Sequence, residues 1–406
     1  MISTVDCASV PIVLAFVLVC ALTTGAVAAG PKYEGFGSRT VGGAGGEVFW
    51  VDPALGDPPD DAHAGTKEDP CTLRKALGGG KRIIKFTRGG TITLSGTIRI
   101  PYSYITIDGA SAPAPGVTIT HTQENHGALD IRPEGEDIHD FIFTHLRFTS
   151  LWEQYPEHKV GWRILNVSAG GRGGHKVYNI IFDHLTMHGL QDKTTLWGRV
   201  ENATVSWCLF YDSYMATLVS FYGRPYDYRR KDISFHHNTY ARSTQRNPQL
   251  RGWIRRFDYV NNVVYGWDYY GMRVKNEPGE RSINANIINN VFCPAGVRQE
   301  AALIYGWDPG PDYADRGPDE NLPQGTVNTA NRMGELYVAG NILPPENRDQ
   351  YSTIPEPLEI PEWARVTTHP ARQLGEKVLP LAGMKYRNER ENQLIDEVWQ
   401  TLKGRK

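Results

Sequence analysis

Cysteine is scarce in this chain, with five residues among 406. Two of them, Cys7 and Cys20, lie in a leading segment that is expected to be removed. The remaining three, Cys71, Cys208 and Cys293, are an odd number and cannot complete a disulfide framework. Burial as small apolar side chains is the expected role for Cys208 and Cys293. An excess of one charge is also missing. Lys and Arg number 43 against 45 Asp and Glu, a net charge of −2, which gives no reason to expect a nucleic-acid or membrane-surface partner. The apolar run from Val10 to Leu22 falls short of the roughly twenty residues a membrane helix needs. It leads into Ala26-Val27-Ala28, a small-residue site of the signal-peptidase type, although Asp6 stands where a positive charge is usual. Residues 1–28 are therefore expected to be an export signal and the mature protein to be secreted, extracellular or periplasmic. No HExxH, nucleophile elbow, P-loop or dinucleotide fingerprint is present, and long helical patterns are scarce before the C-terminus.

What is present is a repeat. The segments DFIFTHLRF from Asp140, NIIFDHLTM from Asn179, NATVSWCLF from Asn202 and DISFHHNTY from Asp232 align without gaps. DYVNNVVY from Asp258, ANIINNVF from Ala285 and LYVAGNIL from Leu336 follow. β-Branched and aromatic residues alternate in each, the mark of a short strand. An apolar residue is followed three places later by Asn or a small apolar residue, as in Phe182/Leu185, Phe235/Asn238 and Tyr259/Asn262. Such units predict a solenoid whose strands stack on their equivalents in the next coil, with Asn tolerating left-handed backbone at a turn. The two-residue glycine turns of a hairpin sandwich are absent. Residues 82–86, 91–94, 97–100 and 105–109 read as the first coils. The expected organisation is an all-β parallel β-helix over residues 33–343, with a Pro-rich and helical extension, 344–406, packing on it.

Several blocks resemble one family. Glu34-Gly35-Phe36-Gly37 and Thr40 to Gly46 open the similarity, and Thr72-Leu73-Arg74-Lys75-Ala76-Leu77 matches a helix that caps the N-terminal end of the solenoid. Ile105 to Gly109, Asp183-His184, Asn202 to Cys208, His236-His237-Asn238 and Arg246-Asn247-Pro248 follow in the family's order. The chain thus resembles bacterial secreted pectate-lyase-like proteins of polysaccharide lyase family 1. The resemblance implies a right-handed parallel β-helix and β-elimination on an acidic polysaccharide, pectate or a related polyuronate, by a monomer.

A uronate lyase removes the proton at C5, beside the sugar carboxylate, and expels the oxygen at C4. Losing that proton piles charge onto an existing carboxylate, so a divalent cation, a positive side chain or both must take it up. Calcium, a hard ion with oxygen ligands, suits the task. The resemblance makes Asp183, Asp192 and Asp212 the metal candidates, with turn formation as the plainer role for each. Two positions depart from the better-known plant-pathogen enzymes: Leu196 stands for an acidic residue and Met215 for a substrate-binding Lys. Arg246 matches the family's Brønsted base. Arginine ordinarily keeps its proton, and bidentate pairing with a substrate carboxylate is the other role it suggests. Arg251, Lys193 and His237 are the expected substrate contacts, although in a solenoid His236 and His237 also read as structural. Arg224, Arg229, Arg230, Lys231, Arg242, Arg255 and Arg256 complete a basic stretch, and Trp197, Trp253 and Trp267 are candidates for stacking on sugar rings. A hydrolase using a carboxylate pair and a non-catalytic glycan-binding solenoid are the competing functions.

Overall fold

The computed structural model describes residues 32–121, 127–150, 163–170, 174–190, 192–221, 232–275, 283–295, 304–306, 334–344 and 352–404. The expected export signal lies outside them. From Tyr33 onward the chain forms one unit. Coils donate strands to three parallel sheets, called A, B and C here, of ten, eight and eight strands. The fold is a right-handed parallel β-helix. Sheet A includes Val177–Asp183, Val200–Ser206, Ile233–His236 and Ile254–Val260; sheet B includes Thr186–His188, Leu209–Tyr211 and Thr239–Ala241; sheet C includes Thr194–Trp197, Thr217–Phe221 and Gln249–Gly252.

The alternation in the repeat sets the register. Phe143, Phe182, Val205, Phe235, Tyr259, Ile287 and Val338 occupy one row of sheet A and all are buried in the core. Each repeat then turns from sheet A into sheet B over two residues. The first of the two adopts left-handed backbone at His184, Trp207, His237, Asn261 and Asn289, with φ between 51° and 57°. The second points inward at Leu185, Cys208, Asn238, Asn262 and Asn290, all buried. Left-handed backbone therefore belongs to the residue before the repeated Asn, which corrects the sequence expectation. The Asn side chains bond along the stack instead. Asn238 donates through Nδ2 to Asn262 Oδ1 at 2.9 Å, Asn262 to Asn290 at 3.1 Å, and Asn290 to Asn341 at 2.9 Å. Cys71, Cys208 and Cys293 are free and buried.

The ends and two of the walls are covered. Thr72 caps the short helix Leu73–Ala76 by accepting from the Lys75 N–H, and Leu73 and Ala76 bury against the first coil. The segment before the first strand lies on sheet A. Phe36 N–H donates to Ser234 Oγ at 3.1 Å and Gly37 N–H to Thr204 Oγ1 at 2.8 Å. A Cβ at Gly37 would sit 2.4 Å from the Ile180 carbonyl oxygen, so only glycine permits this approach. Sheet B is covered by the C-terminal helix Glu389–Gly404, whose Leu394, Ile395 and Val398 pack with Leu209, Tyr211, Ala241, Val263 and Tyr265. A buried bidentate pair pins that helix, with Arg147 Nε and Nη2 on Glu391 at 2.7 and 2.8 Å. Sheet C is different. The connections of residues 212–216 and 242–248 both lead from sheet B into it. Long connections on a rigid scaffold are where binding groups gather.

Candidate active site on sheet C

Alternation along sheet C sorts its side chains. Val167, Leu196, Val219, Leu250 and Val274 share one register row and face the core. Leu196 is thus a core residue in its row, so its lack of a carboxylate reflects an inward position. The neighbouring outer row runs Ser168, Trp197, Ser220, Arg251. Another outer row, Asn166, Thr195, Leu218 and Gln249, carries polar contacts such as Thr195 Oγ1 to Asn166 Oδ1 at 2.7 Å.

Four charged side chains meet where the chain enters this sheet. Arg163 and Asp192 occupy equivalent places, just ahead of Leu165–Ser168 and Thr194–Trp197. Stacking brings Arg163 Nε to Asp192 Oδ2 at 2.8 Å. Lys193 Nζ donates to the other oxygen, Asp192 Oδ1. Both Asp192 and Lys193 are largely buried, at 13% and 11% side-chain exposure. Arg246 arrives two coils further on through a short relay. Thr194 pairs in register with Thr217, whose N–H donates to the Arg246 carbonyl at 2.8 Å. Arg246 holds φ at 64°, a strained value for a residue with a Cβ. Its Nε is buried and has no hydrogen-bond partner among the described residues.

Electrostatics follow from this crowding. Burial alone would push the Asp192 carboxyl up, but the charge and hydrogen bond of Lys193, with those of Arg163, hold it below the usual carboxylate range. Burial lowers the Lys193 ammonium to about 8; Asp192 opposes the shift and the nearby positive charge of Arg246 adds to it.

Several sequence expectations land elsewhere. Asp183 ends its strand at the corner between sheets A and B, where it bonds His184 Nδ1 and Ser206 Oγ, each at 2.6 Å. Sheet B separates it along the chain from Asp192. Asp212 follows sheet B with φ at 44°, in the column of Gly189 and Gly266, and accepts from Arg390 of the C-terminal helix at 2.8 Å. It is a turn residue that anchors that helix. His237 takes the structural place among the readings above. It is buried at the corner between sheets A and B, stacks on Trp207 at 4.3 Å between ring centroids, and is pushed down to about 2 by burial and by His236 and His369. Within the basic stretch, Arg242 pairs with Glu397 over sheet B and Arg256 with Asp232 at sheet A, while Arg224, Arg229, Arg230 and Lys231 lie outside the described residues. Trp267 is in the core, whereas Trp197 stays half-buried on the outer row. Arg163 is the residue that sequence reasoning missed. Its one signal is its place ahead of a strand, equivalent to Asp192 one coil later.

Of the three expected calcium ligands, Asp183 is thus at the corner between sheets A and B, while Asp212 opens and Asp192 ends the connection from sheet B to sheet C in successive coils. Among the described residues, no group of three or more His, Cys, Asp or Glu side chains converges. Both oxygens of Asp192 are engaged by cations, and Asp130, in register with Asn166 on the outer row, pairs with Arg132. Calcium needs six to eight oxygen ligands, so the described residues do not fit the ion.

Known proteins bear on the assignment. No protein-family model matches the chain. "Probable pectate lyase C" of Aspergillus flavus is 26% identical over 314 residues, covering 75% of this chain and 64% of that protein. The same-named protein of Emericella nidulans is 27% identical over 327 residues, covering 79% and 66%. The chain thus spans a little less than two thirds of the length of these relatives. Both are fungal, which corrects the bacterial affinity in the resemblance above. Among solved structures, jun a 1, the major allergen from cedar pollen, superposes with a TM-score of 0.60 at 17% identity, covering 87% of this chain and 92% of that one. That likeness supports the β-helix, and the sequence relatives tie the chain to proteins named as pectate lyases.

Proposed function

We propose that this chain is a secreted polysaccharide lyase, acting as a monomer, that cleaves polygalacturonate or a related polyuronate by β-elimination on the outer face of sheet C. The observation that carries this is the buried Nε of Arg246, partnerless among the described residues, beside the Arg163–Asp192–Lys193 cluster. The likeness to proteins named as pectate lyases supports it. In the proposed step the C5 proton passes to Arg246 acting as the neutral guanidine, which becomes the guanidinium. The electron pair left at C5 forms the C4=C5 double bond, the C4–O bond breaks, and the departing oxygen takes a proton from solvent. Lys193 and Arg251 receive the sugar carboxylate, where positive charge is needed as negative charge builds. Trp197, in the same outer row as Arg251, offers a ring face to a sugar. The hydrolase alternative needs two carboxylates flanking one bond, and Asp183 and Asp192 do not share a wall.

Incubation of the mature protein with polygalacturonate tests this. Ultraviolet absorbance from C4–C5 unsaturated ends is the expected result. New reducing ends without that absorbance would mean hydrolysis, and binding without cleavage a glycan-binding role. Either overturns the proposal. A pH profile probes Lys193. Its ammonium is charged below about 8 and loses its proton above, so attraction for an anionic sugar weakens as pH rises. KM is expected to climb above that pH, and Lys193→Arg, which stays charged, to flatten the climb. A KM that ignores pH through this range removes Lys193 from substrate binding.

A further inference from the structure

We propose that Arg163 and Lys193 take the place of a divalent cation at Asp192, so that the substrate carboxylate is met by side-chain cations without calcium. This rests on the lyase reading above and gives Arg163 a role that no sequence motif assigned to it. Three observations support it. First, Asp192 accepts from Arg163 at Oδ2, 2.8 Å, and from Lys193 at Oδ1, so no carboxylate oxygen is left without a cationic donor. Second, Asp192 has no carboxylate neighbour that completes a metal cluster among the described residues. Third, Arg163 and Lys193 against Asp192 give two positive groups and one negative, a net charge of +1 without counting Arg246.

The physical consequence is a choice between two ways of supplying the same charge. Adding a divalent ion would put two more positive charges into a partly buried site, where like charges repel more strongly than in water. It would also have to displace two charge-assisted hydrogen bonds, which are among the stronger ones in proteins. With both side chains in place, the triad is already cationic and preorganised. Asp192 then acts as a positioning residue: it holds the Lys193 ammonium and the Arg163 guanidinium at the entry to sheet C, and the sugar carboxylate binds the cations rather than Asp192. The half-exposed Arg163 is the member best placed to reach an arriving chain.

Calorimetric titration of calcium chloride into the mature protein, together with polygalacturonate kinetics with and without EDTA, decides this. No saturable calcium binding up to about millimolar concentration is expected, the range of weak extracellular calcium sites, and cleavage should be unchanged by EDTA. Arg163→Ala is expected to raise KM about tenfold, the loss of one charge-assisted contact, at unaltered far-UV circular dichroism, and Arg163→Lys to recover most of it. Three results would overturn the proposal: wild-type calcium binding that Asp192→Asn abolishes, cleavage lost on chelation, or a wild-type KM in Arg163→Ala. If no polyuronate is cleaved with or without calcium, the lyase reading fails, and the calorimetry still decides whether Asp192 holds the ion.

Discussion

Replacement of Arg246 by alanine is expected to cut polygalacturonate turnover by at least about a thousandfold, since a positioned proton acceptor contributes roughly 10²–10⁴ and charge stabilisation a comparable factor. The fold should survive it. The Arg246 carbonyl accepts from the Thr217 N–H, and alanine keeps that bond. No side-chain hydrogen bond of its Nε is lost, because none is made among the described residues. Far-UV circular dichroism and melting temperature should therefore stay near those of the wild type. Arg242→Ala and Arg256→Ala are the informative comparisons. They come from the same basic stretch but pair with Glu397 and Asp232 on other walls, so their activity should remain within a few-fold of normal. An Arg246→Ala protein that still turns over at a tenth of the normal rate would remove Arg246 as the base. Equal losses in all three variants would point to a general effect of positive charge.

The repeat made the fold legible, because a solenoid writes its register into the sequence. Phe182, Val205, Phe235 and Tyr259 recur at one offset since each stacks on the last, and that offset can be counted before any coordinates exist. The charged site was legible only in part. Asp192, Lys193, Arg246 and Arg251 were identified on motif resemblance and do gather at sheet C, whereas Asp183, Asp212 and His237 were identified on the same grounds and do not. The difference lies in what each residue does for the backbone. His237 takes a left-handed corner with φ at 57° and Asp212 a turn with φ at 44°, and short polar residues recur at such positions because they tolerate that geometry. Asp183 serves its corner by bonding across to Ser206 of the next coil. A pattern of recurring Asp and His therefore looks the same in sequence whether it marks chemistry or a turn. Arg163 was missed for the opposite reason. Its partner Asp192 is 29 residues away, and no local motif links them; only the coil spacing does.

The same logic predicts that Asn262→Leu will be the more damaging of substitutions that never approach the site. Asn262 is fully buried. Its Oδ1 accepts from both the N–H and the Nδ2 of Asn238, at 3.0 and 2.9 Å. Its Nδ2 donates to the Phe235 carbonyl at 2.9 Å, the Val260 carbonyl at 3.2 Å and Asn290 Oδ1 at 3.1 Å. Leucine is not foreign to this column, since Leu185 fills the equivalent place in an earlier coil and the core is apolar there. The penalty is therefore one of hydrogen bonding rather than space. Two donors of Asn238 and the Phe235 carbonyl lose this partner in a region closed to water, and each orphaned buried group costs about 1–3 kcal/mol. A loss of at least about 3 kcal/mol follows, which for a chain of this size corresponds to a fall in melting temperature of roughly 4 °C or more. Differential scanning calorimetry reads it directly, and turnover per folded molecule should be preserved, because the corner between sheets A and B is remote from the entry to sheet C. A melting temperature within about one degree of the wild type would show that packing of the coils, and not the asparagine ladder, holds the stack in register.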